Sequence, residues 1–252
     1  MLVMHPTEPY VMGSNGRRDS RIWNITTGEE IHRVDSYGSD LTAFCFSPGS
    51  DYLIGTSGSL IRRDGMIAPS HTYTIRGSEV FNGIQTRLND GLVCEGGKVV
   101  ASVHEDGAAW FWNRVNGTFA GKSRSIPYNA QDIDASPTST DVVVASPFEV
   151  RILDAEGSLR ATYTNNAVRT IGRSMFSGDG ENIIVFSDPA YSDSTFVVLS
   201  KAGEFRYERA VNNEVISAAA STVNGRYLVT TANSTIRVWD LEDGSLIKSF
   251  SH

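Results

Sequence analysis

Cysteine, histidine, basic runs and long apolar stretches are all scarce in this chain, and each scarcity removes a class of function. Only Cys45 and Cys94 are present. That is too few for a disulfide framework, and the two read as small buried hydrophobes in a reducing compartment. No segment approaches the roughly eighteen consecutive apolar residues of a membrane span. The opening stretch Met1-Leu2-Val3-Met4-His5-Pro6 lacks the basic start, apolar run and small-residue cleavage site of a secretory leader. A cytoplasmic or nuclear location is therefore expected, which makes the triplets Asn24-Ile25-Thr26, Asn116-Gly117-Thr118 and Asn233-Ser234-Thr235 accidental glycosylation signals.

The five histidines (His5, His32, His71, His104 and His252) show no His-Glu-x-x-His spacing. Two isolated cysteines cannot complete a four-ligand zinc site. No metal or other cofactor is expected. No Gly-x-Ser-x-Gly elbow and no phosphate-cradling glycine loop occurs, so no enzyme activity is expected either. The net charge is −7, and no basic run exceeds Arg17-Arg18 or Arg62-Arg63. A phosphate-binding face needs clustered cations, so nucleic acid and anionic membrane are not expected as partners.

What the chain does have is self-similarity. Thr235–Phe250 alternates apolar and polar residues, turns at Gly244 and alternates again, as a hairpin with one buried face does. The same arrangement recurs at Ser20–Asn24 with Gly28, Ser59–Asp64 with Gly65, Ala108–Asn113 with Gly117, Val150–Asp154 with Gly157 and Thr195–Ser200 with Gly203. The residues that close these strands are Asn24, Asp64, Asn113, Asp154, Ser200 and Asp240, separated by 40, 49, 41, 46 and 40 residues. Upstream lies a second recurring piece, seen in Phe44-Cys45-Phe46-Ser47-Pro48-Gly49 and in Met175-Phe176-Ser177-Gly178-Asp179-Gly180. It reads as an inner strand, a turn and a second strand. The Gly178-Asp179-Gly180 run is expected to serve that turn and not a ligand. A period just above forty with four strands per unit predicts an all-β chain of propeller blades.

Phe46-Ser47-Pro48 before an aromatic strand, and Ser234-Thr235-Ile236-Arg237-Val238-Trp239-Asp240 at the end of a third strand, resemble WD repeats. The resemblance extends over nearly the whole chain, and is sharpest in the units holding Trp23, Trp112 and Trp239. It implies a single domain, a six-bladed propeller of four antiparallel strands per blade. The blades fall at about 1–34, 41–76, 90–122, 130–163, 171–209 and 214–250. The Gly-His dipeptide of many WD repeats is missing, so their His-Asp-Ser/Thr-Trp tetrad is incomplete; Asp106, Asp193 and Asn233 occupy the place of its Asp. Blade stability is expected to rest mainly on apolar packing between sheets. The last blade also shows no exchange of strands between the chain ends.

The period stretches at Gly77–Gly83, before the third unit's inner strand, and at Ser187–Ser194 in the fifth. The resemblance places both kinds of loop on one rim, the top face, where insertions mark binding. Aromatic and Arg side chains make good interface anchors. The candidate partner-binding residues are Arg17, Arg18, Tyr37, Phe81, Tyr128, Arg169 and Tyr191. The reading that follows is a non-catalytic scaffold or adaptor in a protein complex, holding partner peptides or loops, with no small-molecule substrate. Two other functions stay open: a channel enzyme acting on a glycan or small molecule, and a phosphoinositide-binding propeller suggested by Leu60-Ile61-Arg62-Arg63-Asp64-Gly65.

Overall fold

A computed structural model describes residues 2–5, 8–14, 20–34, 41–46, 52–57, 60–65, 79–80, 88–93, 99–104, 107–113, 119–123, 126, 130–164, 170–188, 194–211 and 214–251. Within these residues every regular element is a strand, and the strands form six antiparallel sheets of four. In each sheet the strands lie side by side in chain order. The first sheet holds β1 (Leu2–Met4), β2 (Tyr10–Ser14), β3 (Ser20–Asn24) and β4 (Glu30–Val34). The second holds β5 (Leu41–Phe46), β6 (Tyr52–Ser57), β7 (Leu60–Gly65) and β8 (Glu79–Val80). The third holds β9 (Leu88–Val93), β10 (Val99–His104), β11 (Ala109–Asn113) and β12 (Phe119–Lys122). The fourth holds β13 (Asp132–Ala135), β14 (Val142–Ala145), β15 (Glu149–Leu153) and β16 (Leu159–Thr164). The fifth holds β17 (Ile171–Phe176), β18 (Asn182–Ser187), β19 (Ser194–Ser200) and β20 (Phe205–Val211). The sixth holds β21 (Ile216–Ser221), β22 (Tyr227–Ala232), β23 (Thr235–Asp240) and β24 (Leu246–Ser251).

One expectation needs correction. Glu79–Val80 is not part of an insertion ahead of the third unit: it pairs with Arg63 and Arg62 as the outermost strand of the second sheet. Two residues carry too little alternation to be read as a strand. The extra length lies instead between β7 and β8, which are separated by the 13 residues 66–78, whereas the seven residues between β8 and β9 match the other sheet-to-sheet connections.

The sheets are stacked face to face through apolar layers. Ala101, Val103, Ala109 and Phe111 of the third sheet pack on Ile133, Ala135, Val142, Val144 and Leu153 of the fourth. Val143, Ala145, Val150 and Ile152 on the other side of the fourth pack on Ile171, Phe176, Ile183, Val185, Val197 and Leu199 of the fifth. Ile184, Phe186, Phe196 and Val198 then meet Ile216, Leu228, Ala232, Trp239 and Leu241 of the sixth. The fourth and fifth sheets thus each have a near face toward the preceding sheet and a far face toward the following one. Register explains the division, because directly paired residues share a face: Val142 opposes Leu153 on the near side, and Val143 opposes Ile152 on the far side. A strand covered on both faces reads as a continuous apolar run, which is why β14 is Val-Val-Val-Ala and buried throughout.

Polar groups reinforce the stack. The Asp132 and Asp134 carboxylates on β13 accept from the Ser174 and Phe176 amides of β17, each at 2.7 Å. The Gly178 amide donates to Ser221 Oγ of the sixth sheet at 2.7 Å.

Candidate partner-binding surface

An antiparallel meander sends its first-to-second and third-to-fourth strand connections to one end of a sheet, and its second-to-third and sheet-to-sheet connections to the other. The two ends differ in build. At the first end the described turns are short and tied to themselves; the 13 residues between β7 and β8 also belong to this end, so that insertion does not join the rim expected of it. Ser177 Oγ donates to Asp179 Oδ1 at 2.6 Å and accepts from the Asn182 amide at 2.9 Å, while Gly180 takes a φ of 73°. Gly178-Asp179-Gly180 is therefore turn geometry, as expected. Thr222 repeats the arrangement, accepting from the Tyr227 amide at 3.0 Å. Among the described side chains, the residues that close the third strands of the first, fourth, fifth and sixth sheets are turn acceptors too. Asn24 Oδ1 accepts from Thr26, Asp154 Oδ1 from Glu156 and Ser158, Ser200 Oγ from Ala202 and Glu204, and Asp240 Oδ1 from Glu242.

At the opposite end, serines pin the points where longer connections leave the sheets. Ser123 Oγ accepts from the Ala109 amide, Ser187 Oγ from Thr195 and Ser194 Oγ from Ile216, each at 2.9 Å. The Ile171 amide bridges sheets to Pro147 O at 2.7 Å, and the Asp188 amide reaches Thr170 O at 2.8 Å. Arg237 pairs with Glu214, which follows the last of these connections. That hydrogen bond holds the Glu214 carboxyl below its ordinary range. Loops leaving fixed bases lose less freedom on binding than free segments do.

The seven candidate residues belong in sequence to this second set of connections. Arg17 and Arg18 fall between β2 and β3, Tyr37 between β4 and β5, Phe81 between β8 and β9, Tyr128 between β12 and β13, Arg169 between β16 and β17, and Tyr191 between β18 and β19. All seven lie outside the described residues. Arg62 and Arg63 stand inside a strand rather than a loop, with Arg63 paired directly to Glu79.

The sixth sheet carries the most informative single site. Trp239, 6% exposed, donates its indole N–H to Thr230 Oγ1 at 2.9 Å and meets Phe196 of the fifth sheet edge-on at 5.3 Å. Asn233 is exposed with a φ of 50°, so it shapes the β22–β23 turn and joins no buried network. The Thr–Trp pair of the tetrad persists without its His and Asp. Residues 208–240 match the family described as WD domain, G-beta repeat. This segment is similar to a WD repeat. The match runs from the outer strand of the fifth sheet to Asp240 at the end of β23, and it supports placing the chain among WD-repeat proteins. A search of curated proteins found no match.

Asp132, Asp134 and the three serine pins were not singled out by sequence reasoning. A signal was available for the first pair: Asp-Ile-Asp-Ala alternates strictly, so both carboxylates had to share one face of an inner strand.

Proposed function

We propose that the chain is a non-catalytic protein-interaction scaffold: a WD-type propeller of six blades that holds partner peptides or loops on the rim formed by its longer connections. The observation that carries this reading is the WD repeat at residues 208–240, standing in a sheet that packs on its neighbour through a continuous apolar layer. WD repeats are typically non-catalytic interaction modules. The serine-pinned loop bases give such a rim a preorganised frame. Arg17, Arg18, Tyr37, Phe81, Tyr128, Arg169 and Tyr191 are the proposed anchors, and a cytoplasmic or nuclear site of action goes with the reading.

The test is copurification from native extract with the intact chain and with a variant carrying Arg17→Ala, Arg18→Ala and Tyr191→Ala, both shown folded by circular dichroism. Loss of a defined set of proteins from the variant is the expected result. Retention of the same set would move the working surface away from this rim.

A further inference from the structure

The first strand of each sheet has one edge without a partner strand, and what faces that edge changes from sheet to sheet. Between the fourth and fifth sheets the edge of β17 is served by carboxylates: Asp132 and Asp134 accept from the Ser174 and Phe176 amides, each at 2.7 Å. The register of β21 on β22 repeats that of β17 on β18 residue for residue, bulge included. Arg173 opposes Phe186 and Ser174 opposes Val185, as Ala218 opposes Thr231 and Ala219 opposes Thr230. The Thr222 amide returns to Tyr227 O just as the Ser177 amide returns to Asn182 O. In an antiparallel pair every second amide points away from the partner strand. Ala219 and Ser221 therefore present theirs at the free edge of β21, as Ser174 and Phe176 do on β17.

The fifth sheet offers these two amides no carboxylate. Asp132 opposes Ala145 and Asp134 opposes Val143. At the same register positions the fifth sheet carries Arg173, opposite Phe186, and Met175, opposite Ile184. Met175 and Ala219 border the apolar layer that contains Phe186 and joins the fifth sheet to the sixth. Arg173 stands half-buried over the Phe186 ring, its guanidinium carbon 5.1 Å from the centroid. Its Nη2 is enclosed and has no hydrogen-bond partner among the described residues. A cationic donor short of both water and an acceptor is costly to leave so. Glu214, the acid that leads into β21, is engaged by Arg237, and Asp132 by the Ser174 amide. Ala218 and Ala220, on either side of Ala219, are exposed, so this edge is open to solvent.

We propose that Arg173 and the Ala219 amide form an anion site that takes a carboxylate, carried by an acidic residue of a bound peptide, in the place where the Asp132 side chain stands one sheet earlier. The two carboxylate oxygens accept from the guanidinium and from the amide, and a charge-assisted pair of this kind is among the stronger hydrogen bonds. The partial enclosure of the cation strengthens the attraction, because less water screens it. Ile171 begins β17 and Ser187 ends β18 at the end of the sheets where the serine-pinned connections leave, which puts Arg173 in the half nearest that rim. The peptide as carrier rests on the rim reading, whereas the carboxylate site itself does not.

The full chain, labelled for amide NMR, is titrated at pH 7 with N-acetylaspartate N-methylamide, and in parallel with its neutral asparagine analogue and with inorganic phosphate. A saturable downfield shift of the Ala219 amide proton with the aspartate compound, and not with the asparagine one, is expected. Affinity should fall at least about tenfold in Arg173→Gln, as loss of a hydrogen bond to a charged group implies. The other amide resonances show whether that variant is folded. An Ala219 amide that does not respond, that responds equally to the neutral analogue, or that keeps its affinity in Arg173→Gln would overturn the site. An Arg173-dependent response to phosphate alone would overturn its assignment to carboxylates. A second variant, Arg173→Asp, carries the fourth sheet's arrangement into the fifth; its Ala219 amide should lie downfield without ligand and no longer respond, and an unmoved, still responsive resonance would count against the proposal. None of these titrations needs a protein captured at the rim, so failure of the rim reading would remove only the peptide as carrier.

Discussion

Replacing Asp134 by asparagine should make the protein more stable at neutral pH and reduce its pH dependence. Burial raises the Asp134 carboxyl from 3.8 to about 6, and hydrogen bonds from the Phe176 and Ala135 amides offset only part of that rise. Because the folded-state value lies above the unfolded one, the native chain binds more protons than the unfolded chain between these two values. Stability therefore falls as pH rises through the window from about 4 to about 6, and is level on either side. A shift of about two units corresponds to at most ~3 kcal/mol. The residue keeps some contact with solvent, so a measured effect of about 1–2 kcal/mol is the reasonable target. In the Asp134→Asn variant the amide oxygen can still accept from Phe176, and no charge is buried at pH 7. Urea unfolding of both proteins at pH 4.5 and 7.5 isolates the effect, since other titrating groups cancel in the difference. The stability gap, variant minus parent, should widen at the higher pH. A gap that is constant, or that narrows, would show that Asp134 ionises without penalty and that the Phe176 amide outweighs its burial.

Three further outcomes follow from the stacked sheets. Trp239→Phe keeps the edge contact with Phe196 but strands Thr230 Oγ1, and Thr230→Val strands the indole N–H; each should cost about 1–2 kcal/mol. The double variant should cost less than the sum of the two, read by denaturant midpoints. Gly244→Ala should destabilise more than Gly28→Ala, although both glycines have φ near 70° (72° and 75°), because only Gly244 has a neighbour in the way. Equal losses in Tm would refute the difference in packing. Tyr207→Phe removes a 2.7 Å hydrogen bond to Leu241 O and should cost about 1 kcal/mol, with no effect on the fold seen by circular dichroism.

How much of this was legible in the sequence follows from the range of each interaction. Strand period, turn glycines and the spacing of Asn24, Asp154, Ser200 and Asp240 are local signals, and the structure keeps them all: each of these four residues caps a turn. Which face of a sheet meets which neighbour is also recoverable, because Trp-bearing and valine-bearing registers differ. The second sheet's outer strand was misplaced because Glu79–Val80 is defined only by its partners Arg62 and Arg63, some sixteen residues earlier. The Asp132 and Asp134 bonds to the fifth sheet cross 42 residues of chain, and nothing local announces an amide on the far side. Sequence also could not show that Trp23 and Trp239, alike in motif, differ in surroundings: the second is enclosed by Phe196 and the first is not.

That difference bears on how a repeat protein should be searched for function. In a stack of near-identical units most conserved-looking chemistry is spent on the repeat itself, and here the Asp of Trp239-Asp240 caps a turn rather than binding a partner. Residues the repeat does not require are the better candidates. They fall chiefly in the connections that leave serine-pinned bases.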